Sequence, residues 1–199
     1  NRRIAKNTIS MYIRMFFLML INFYTSRVVL KSLGAEDYGT YNVVGGVVVM
    51  FTFINAAMTT GTQRHLSFEL GIPDSNIGRV FSACFNIHLW LAVLIVLLAE
   101  TVGLWFLNTK LNFPEGRMAA VNWVYQLSIL SCVISIIRVP YNAAIIAYEK
   151  MSFYAYIGII EGILKLAIVF VLAYSPLDKL VYYAILMTFV ITVVTIAYY

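Results

Sequence analysis

Residues 77–99, IGRVFSACFNIHLWLAVLIVLLA, decide the fold of this chain. Every position from Leu89 to Ala99 is apolar, and no Lys, Arg, Asp or Glu follows Arg79 in the stretch. A helix needs about 20 mostly apolar residues to cross the hydrocarbon core of a bilayer. The stretch therefore predicts a membrane-spanning helix.

The rest of the chain has the same character. Of its 199 residues, 62% are hydrophobic and 12% are charged, and the mean hydropathy is +0.86. A soluble domain is about half apolar and about a quarter charged. Because backbone polar groups find no partners in lipid, segments that cross it usually form helices. We therefore expect an all-α polytopic membrane protein.

Apolar runs of this length recur and predict six transmembrane helices. The predicted helices cover about 8–30, 40–62, 77–99, 119–146, 151–173 and 178–199. They leave no room for a soluble domain, so residues 1–199 are expected to form one transmembrane unit. The chain begins without Met and stops at Tyr199 within an apolar pattern. We expect it to be part of a longer protein.

The basic residues predict the orientation of this unit. Arg2, Arg3 and Lys6 precede the first predicted helix, and positive charges near the first helix favour the cytoplasmic side. An even number of helices then brings both ends to that side. We therefore expect a cytoplasmic N-terminus.

Composition also argues against several function classes. The net charge is +5, but no basic run is long enough to follow a nucleic-acid backbone, so no nucleic-acid partner is expected. Cys84 and Cys132 lie in apolar stretches, and His65 and His88 lack partners at ligand spacing, so no metal site is expected. The chain has no Gly-rich phosphate loop and no Ser/His/Asp set. We expect no enzyme and no cofactor, with H⁺ or Na⁺ as the possible coupling ion.

Polar residues share one face on several predicted helices. Such stripes face protein or water, because a lipid-facing surface gains nothing from them. The candidates for a substrate cavity are Arg14, Asn22, Ser131, Ser135, Arg138, Asn142 and Lys165. Two interpretations stay open: hydrogen bonding between helices, and the wall of a hydrated cavity. Charges inside a span favour the cavity, because they are costly in lipid.

Glu161 and Lys165 lie one turn apart near the middle of the fifth predicted helix. Glu before Lys is the favourable order for an ion pair on a helix. A structural pair is one interpretation. In the other, Glu161 binds a coupling H⁺ or Na⁺, or Lys165 meets an anionic substrate.

Several strings along the chain resemble one family of transporters. These strings are 33–42 (LGAEDYGTYN), 68–71 (FELG), 99–108 (AETVGLWFLN), 123–126 (WVYQ) and 139–143 (VPYNA). In this order on a six-helix pattern, the chain is similar to the N-terminal half of the Wzx-type oligosaccharide flippases. These are polysaccharide-biosynthesis membrane proteins of the multidrug/oligosaccharidyl-lipid/polysaccharide exporter superfamily.

The resemblance implies a transporter of two six-helix lobes, of which this chain is one and the C-terminal lobe is absent. The lobes would rock to expose a polyprenyl-pyrophosphate-linked oligosaccharide to each side of the bacterial inner membrane in turn. The product would serve lipopolysaccharide, O-antigen or other surface polysaccharide synthesis. The implied partners are the lipid-linked oligosaccharide, membrane lipids, and a polysaccharide polymerase with other assembly proteins.

Other functions stay open at this point. A drug/cation antiporter of the same superfamily would need an acidic, aromatic pocket, for which Glu161 gives thin support. A membrane-embedded transferase acting on lipid-linked sugars would need a carboxylate cluster or a His near one interface. A scaffold without transport activity would show no hydrated stripe.

Overall fold

The fold is a bundle of α-helices. The structure is a computed structural model that describes residues 2–51, 53–73, 75–114, 116–173 and 178–199, and the side chains of these residues except 2–7, 53–56 and 173. The helices are α1 (Arg2–Met50), α2 (Phe53–Glu69), α3 (Ile77–Leu98), α4 (Leu104–Thr109), α5 (Met118–Ala147), α6 (Met151–Ala173) and α7 (Lys179–Tyr198). A π-helical turn, Ala99–Gly103, joins α3 to α4. The described residues contain no strand, and the predicted all-α class is confirmed.

Within the described residues, five stretches of helix are long and apolar enough to cross a bilayer. They are Thr8–Met50, Ile77–Thr109, Met118–Ala147, Met151–Leu172 and Lys179–Tyr198. The chain is therefore a multi-pass membrane protein, as its composition predicts. The side chains of Arg2, Arg3 and Lys6, on which the predicted orientation rests, lie outside the described residues.

Helix bounds differ from the predicted ones in two places. The predicted second helix, 40–62, is divided between α1 and α2, because regular helix ends at Met50 and resumes at Phe53. The predicted third helix ended at 99, whereas the π-helical turn carries the chain on as helix to Thr109. The count of six spans stays a prediction, since the first of the five long stretches is itself interrupted at Gly34.

Gly34 divides α1 into two arms, 2–33 and 35–50. Its φ is 82° and its ψ is 168°, while the residues on either side are helical. Glycine reaches this conformation at low cost because it has no Cβ. The two arms consequently contribute to different parts of the core. Val29 joins a cluster with residues of α6 and α7, whereas Val44 joins a cluster built mainly from α3 and α5.

The first arm of α1 packs closely against α6 through two glycines. A Cβ on Gly158 would overlap the guanidinium of Arg14, and one on Gly162 would meet Leu18 at 2.7 Å and Ile21 at 3.1 Å. Contact points that advance together along both helices mean that the helices run in the same direction. Small residues spaced four apart permit this close approach in membranes. The spacing thus brings Arg14 directly onto α6.

Arg117 connects three helices at the end of the bundle opposite to the start of α6. It precedes α5 and donates hydrogen bonds to Asp37 of α1 at 2.5 Å and to Asp178 at 2.7 Å. Asp178 also caps α7 by accepting a hydrogen bond from the backbone N–H of Leu180 at 3.0 Å. The hydrogen bond to Asp37 raises the pKa of Arg117 above its ordinary value. These contacts fix the relative positions of the starts of α5 and α7 and the second arm of α1.

The conformation at Gly34 generates the first prediction. Gly34→Ala should destabilise the protein by about 1–3 kcal/mol, because an L residue is strained at a positive φ of this kind. No neighbouring atom would obstruct the added methyl group, so the cost is that of the backbone alone. The thermal midpoint of the purified protein in detergent should fall.

Gly39→Ala is the matched control. Gly39 is also in α1 with open space around its Cβ position, but it lies in ordinary helix. Alanine there should leave the midpoint unchanged or raise it, because Ala has the higher helix propensity. Equal effects of the two substitutions would show that Gly34 is not a conformational requirement.

Candidate functional site

Charged side chains from two helices meet at Glu161. Its Oε1 accepts a hydrogen bond from Lys165 Nζ at 2.7 Å, within α6. Its Oε2 accepts a longer one from Arg138 Nη1 of α5 at 3.4 Å. Glu161 lies ten residues after Met151, about 15 Å along the helix at 1.5 Å per residue. The ion pairs therefore lie near the middle of a membrane-spanning helix.

Arg14 adds a third positive charge from α1. Its guanidinium carbon lies 4.2 Å from the ring centroid of Tyr154, and the guanidinium occupies the space left by Gly158. Gly158 lies three residues before Glu161 on α6, which brings the guanidinium to within about one helical turn of this carboxylate. Its Nε is buried without a hydrogen-bond partner among the described residues. Arg14 is therefore held in place by stacking and shape, with hydrogen-bonding capacity unused.

Three cations thus surround one carboxylate, a formal excess of two positive charges. We call Arg14, Arg138, Lys165 and Glu161 the cation cluster. Charges inside a membrane protein are expensive unless they are paired or reach water. The side chains of Arg138, Lys165 and Glu161 are 21%, 29% and 18% exposed, so none is fully buried. The formal charge of the cluster favours an anion over a cation.

Both arginines of the cation cluster lie over tyrosine rings. Arg138 lies 5.5 Å from the ring centroid of Tyr198 in α7, as Arg14 lies over Tyr154 in α6. A guanidinium stacked on an aromatic ring keeps the N–H groups at its edge available to bind two oxygens of a carboxylate or a phosphate. Sequence reasoning missed Tyr198, because its role depends on α5 and α7 lying side by side and no local spacing reports that.

The predicted stripe on the fourth helix divides into two regions. Ser131 and Ser135 line a pocket of about 250 Å³ between α5, α7 and the second arm of α1. Ser131 Oγ is 2.9 Å from Thr188 Oγ1 of α7, and Ser135 Oγ donates to the carbonyl of Ser131 at 2.8 Å. Arg138 instead joins the cation cluster. Both open interpretations therefore find support at the serines: a hydrogen bond between helices, and a polar pocket wall.

Asn142 and Asn22 occupy the margins of this arrangement. Asn142 lies one turn beyond Arg138 in α5, and its Oδ1 is buried with no hydrogen-bond partner among the described residues. Asn22 is exposed and lines an open groove of about 860 Å³ along α1, which Arg14 also lines. Asn22 lies eight residues, about 12 Å, from Arg14 along the helix.

Comparison of the chain with protein-family models, with curated proteins and with solved structures finds no match.

Water access to the serine pocket is the second prediction. With Cys84 and Cys132 replaced by alanine, Ser135→Cys should react with a small, charged thiol reagent because it lines the polar pocket. Leu130→Cys, five residues away on α5, should not react, although Leu130 is 49% exposed in the bundle. We expect its surface to face lipid, where the charged reagent is insoluble and the thiolate does not form. If Leu130→Cys reacts and Ser135→Cys does not, the serines only form hydrogen bonds between helices and do not line a hydrated pocket.

Proposed function

We propose that this chain is the N-terminal lobe of a flippase in the bacterial inner membrane. It moves a polyprenyl-pyrophosphate-linked oligosaccharide to the outer leaflet by alternating access, for lipopolysaccharide or other surface polysaccharide synthesis. The observation that carries the proposal is the formal excess of two positive charges in the cation cluster at mid-membrane depth. A pyrophosphate brings negative charge and several acceptor oxygens, which arginine binds in pairs.

The cation cluster favours this function over the alternatives. A drug/cation antiporter requires a site that attracts cations, and three basic side chains around one carboxylate repel them. A transferase needs a carboxylate free to accept a proton from the attacking group. Glu161 is already bonded to Lys165 and Arg138, so it is poorly placed for that task.

The groove along α1 supports a two-lobe arrangement. Much of the first arm of α1 is exposed and apolar, including Tyr12, Met15 and Phe23 at 69%, 66% and 68% exposure. We propose that a second lobe and the lipid part of the substrate face this side. The further proposed partners are membrane lipids, a polysaccharide polymerase and other assembly proteins.

The third prediction tests Arg14 as a substrate-binding residue. In cells that depend on this protein for surface glycan, Arg14→Ala should lower export at least about tenfold, since one charged contact is worth roughly 1.5–3 kcal/mol. Arg14→Lys should fall between Arg14→Ala and the native protein, because it keeps the charge and loses the paired N–H edge. Export is measured together with the amount of protein in the membrane.

Two glycine substitutions separate the position of Arg14 from helix packing. Gly158→Ala displaces the guanidinium of Arg14, whereas Gly162→Ala presses only on Leu18 and Ile21. Both disturb the contact between α1 and α6, but only the first moves the charge. At equal protein amounts, Gly158→Ala should export less than Gly162→Ala. Normal export by Arg14→Ala would remove Arg14 from the site.

The fourth prediction concerns orientation, for which we propose a cytoplasmic N-terminus. Lys110 follows α4 and Lys150 follows α5, and both are exposed. In a cysteine-free background, Lys110→Cys should react with a membrane-impermeant reagent in intact cells. Lys150→Cys should react only after the cells are opened. The reverse pattern would contradict the orientation and leave the fold unaffected.

A further inference from the structure

Glu161 occupies the position that a bound anion would take. Each of its carboxylate oxygens bonds to a different cation, Oε1 to Lys165 at 2.7 Å and Oε2 to Arg138 at 3.4 Å. An incoming phosphate would need the same N–H donors. The carboxylate and the substrate therefore compete for one set of partners.

The two bonds differ in how firmly the chain holds them. Lys165 lies one turn from Glu161 on the same helix, so this pair forms wherever α6 is helical. Arg138 belongs to α5, and its 3.4 Å contact is near the upper limit of a hydrogen bond. Its guanidinium also lies over Tyr198 at 5.5 Å, which holds it in place independently of Glu161. Arg138 can thus change partner without changing position.

We propose that Glu161 is an internal competing anion, which pairs with Lys165 and Arg138 in the empty site and yields them to the phosphate of the substrate. The inference rests on the anion site of the proposed function and adds how that site limits its own affinity. When the substrate leaves, Glu161 takes the cations back. A transporter needs this property, because a site that binds too tightly cannot release its cargo on the far side.

The charges around Glu161 determine the sign of its effect. The groups near it are Arg14 from α1, Arg138 from α5, Lys165 from α6 and Tyr198 from α7. Tyr154 of α6 stacks with Arg14. Each of the three basic residues attracts a phosphate, and Glu161 is the one charged member of this set that repels it. Like charges at contact distance repel, and solvent screens this repulsion only in part at a half-buried site.

A permanently structural ion pair predicts the opposite result. If Glu161 only held Arg138 and Lys165 in position, its removal would let both side chains drift and would weaken anion binding. If Glu161 competes, its removal frees both cations and tightens binding. The sign of the change in affinity therefore distinguishes the two roles.

The fifth prediction is a measurement of affinity. The full-length protein in detergent is titrated with inorganic pyrophosphate, and Glu161→Gln is compared with the native protein. Gln keeps the size of the side chain and removes its charge, so the dissociation constant should fall at least about tenfold. Glu161→Ala, which leaves no amide to bond Lys165, should change the constant in the same direction.

Glu100→Gln is the matched control. Glu100 is the acceptor of a hydrogen bond from Gln126 of α5 at 3.2 Å, and Gln126 lies twelve residues, about 18 Å, before Arg138. The same change of charge there should leave pyrophosphate affinity unaltered.

In cells, Glu161→Gln should bind more tightly and still export less glycan per molecule, because release becomes slow. A purely structural residue would not separate affinity from export in this way.

The outcomes separate the two proposals. If the native protein binds pyrophosphate and Glu161→Gln and Glu161→Ala both bind it equally or more weakly, the competing role of Glu161 is wrong and the anion site stands. If the native protein and Arg14→Ala show no binding at any concentration tested, the anion site of the proposed function is wrong. Loss of folding in Glu161→Gln alone leaves Glu161→Ala to decide the sign. Loss of folding in both variants would establish a structural pair and overturn the competing role.

Discussion

The close approach of α1 and α6 is the contact on which the site depends. Gly158 and Gly162, one turn apart, let the helices come close, since a Cβ at either position would meet a side chain of α1. The space at Gly158 is filled by the guanidinium of Arg14, which thereby reaches the level of Glu161. In lipid, where no hydrophobic effect drives helices together, this kind of steric fit is a main source of association. Here the same steric fit also places the charged guanidinium of Arg14 between α1 and α6.

An unbalanced charge is the second constraint. Proteins tolerate ionised groups inside a membrane where these are paired or meet water. In the cation cluster, the single carboxylate pairs with Arg138 and Lys165, and tyrosine rings stack against the two arginines. Such a cluster is costly in an empty site and becomes favourable when an anion enters. The same physical feature thus supports the proposed substrate class and the proposed role of Glu161 in limiting affinity.

The polar residues of α5 serve two different regions. Ser131 and Ser135 face α7 and the second arm of α1, whereas Arg138, only three residues further on, reaches α6. The second arm comes to the serine pocket because the chain turns at Gly34. A substrate with both a sugar portion and a phosphate portion would find hydroxyl groups and positive charges at separate places along one helix.

Local sequence determined much of this protein. The apolar runs fixed an all-α membrane fold, because backbone groups in lipid must bond within their own segment. The pair of Glu161 and Lys165 also followed from spacing, since residues four apart are neighbours on any helix. The orientation and the lipid-linked oligosaccharide stay predictions. Contacts between helices did not follow from local sequence, because they depend on which helix faces lie against each other in the packed bundle.

Three features were decided by the tertiary structure. Arg138 meets Glu161 although 23 residues separate them, Tyr198 supports Arg138 from a third helix, and Ser131 meets Thr188 of α7. Helical periodicity assigns a residue to a face, but it does not say what lies opposite that face. That depends on the turn at Gly34, which directs the second arm of α1, and on two contacts that join residues far apart in the chain. These are the glycine contact between α1 and α6 and the pairing of α5 with α7.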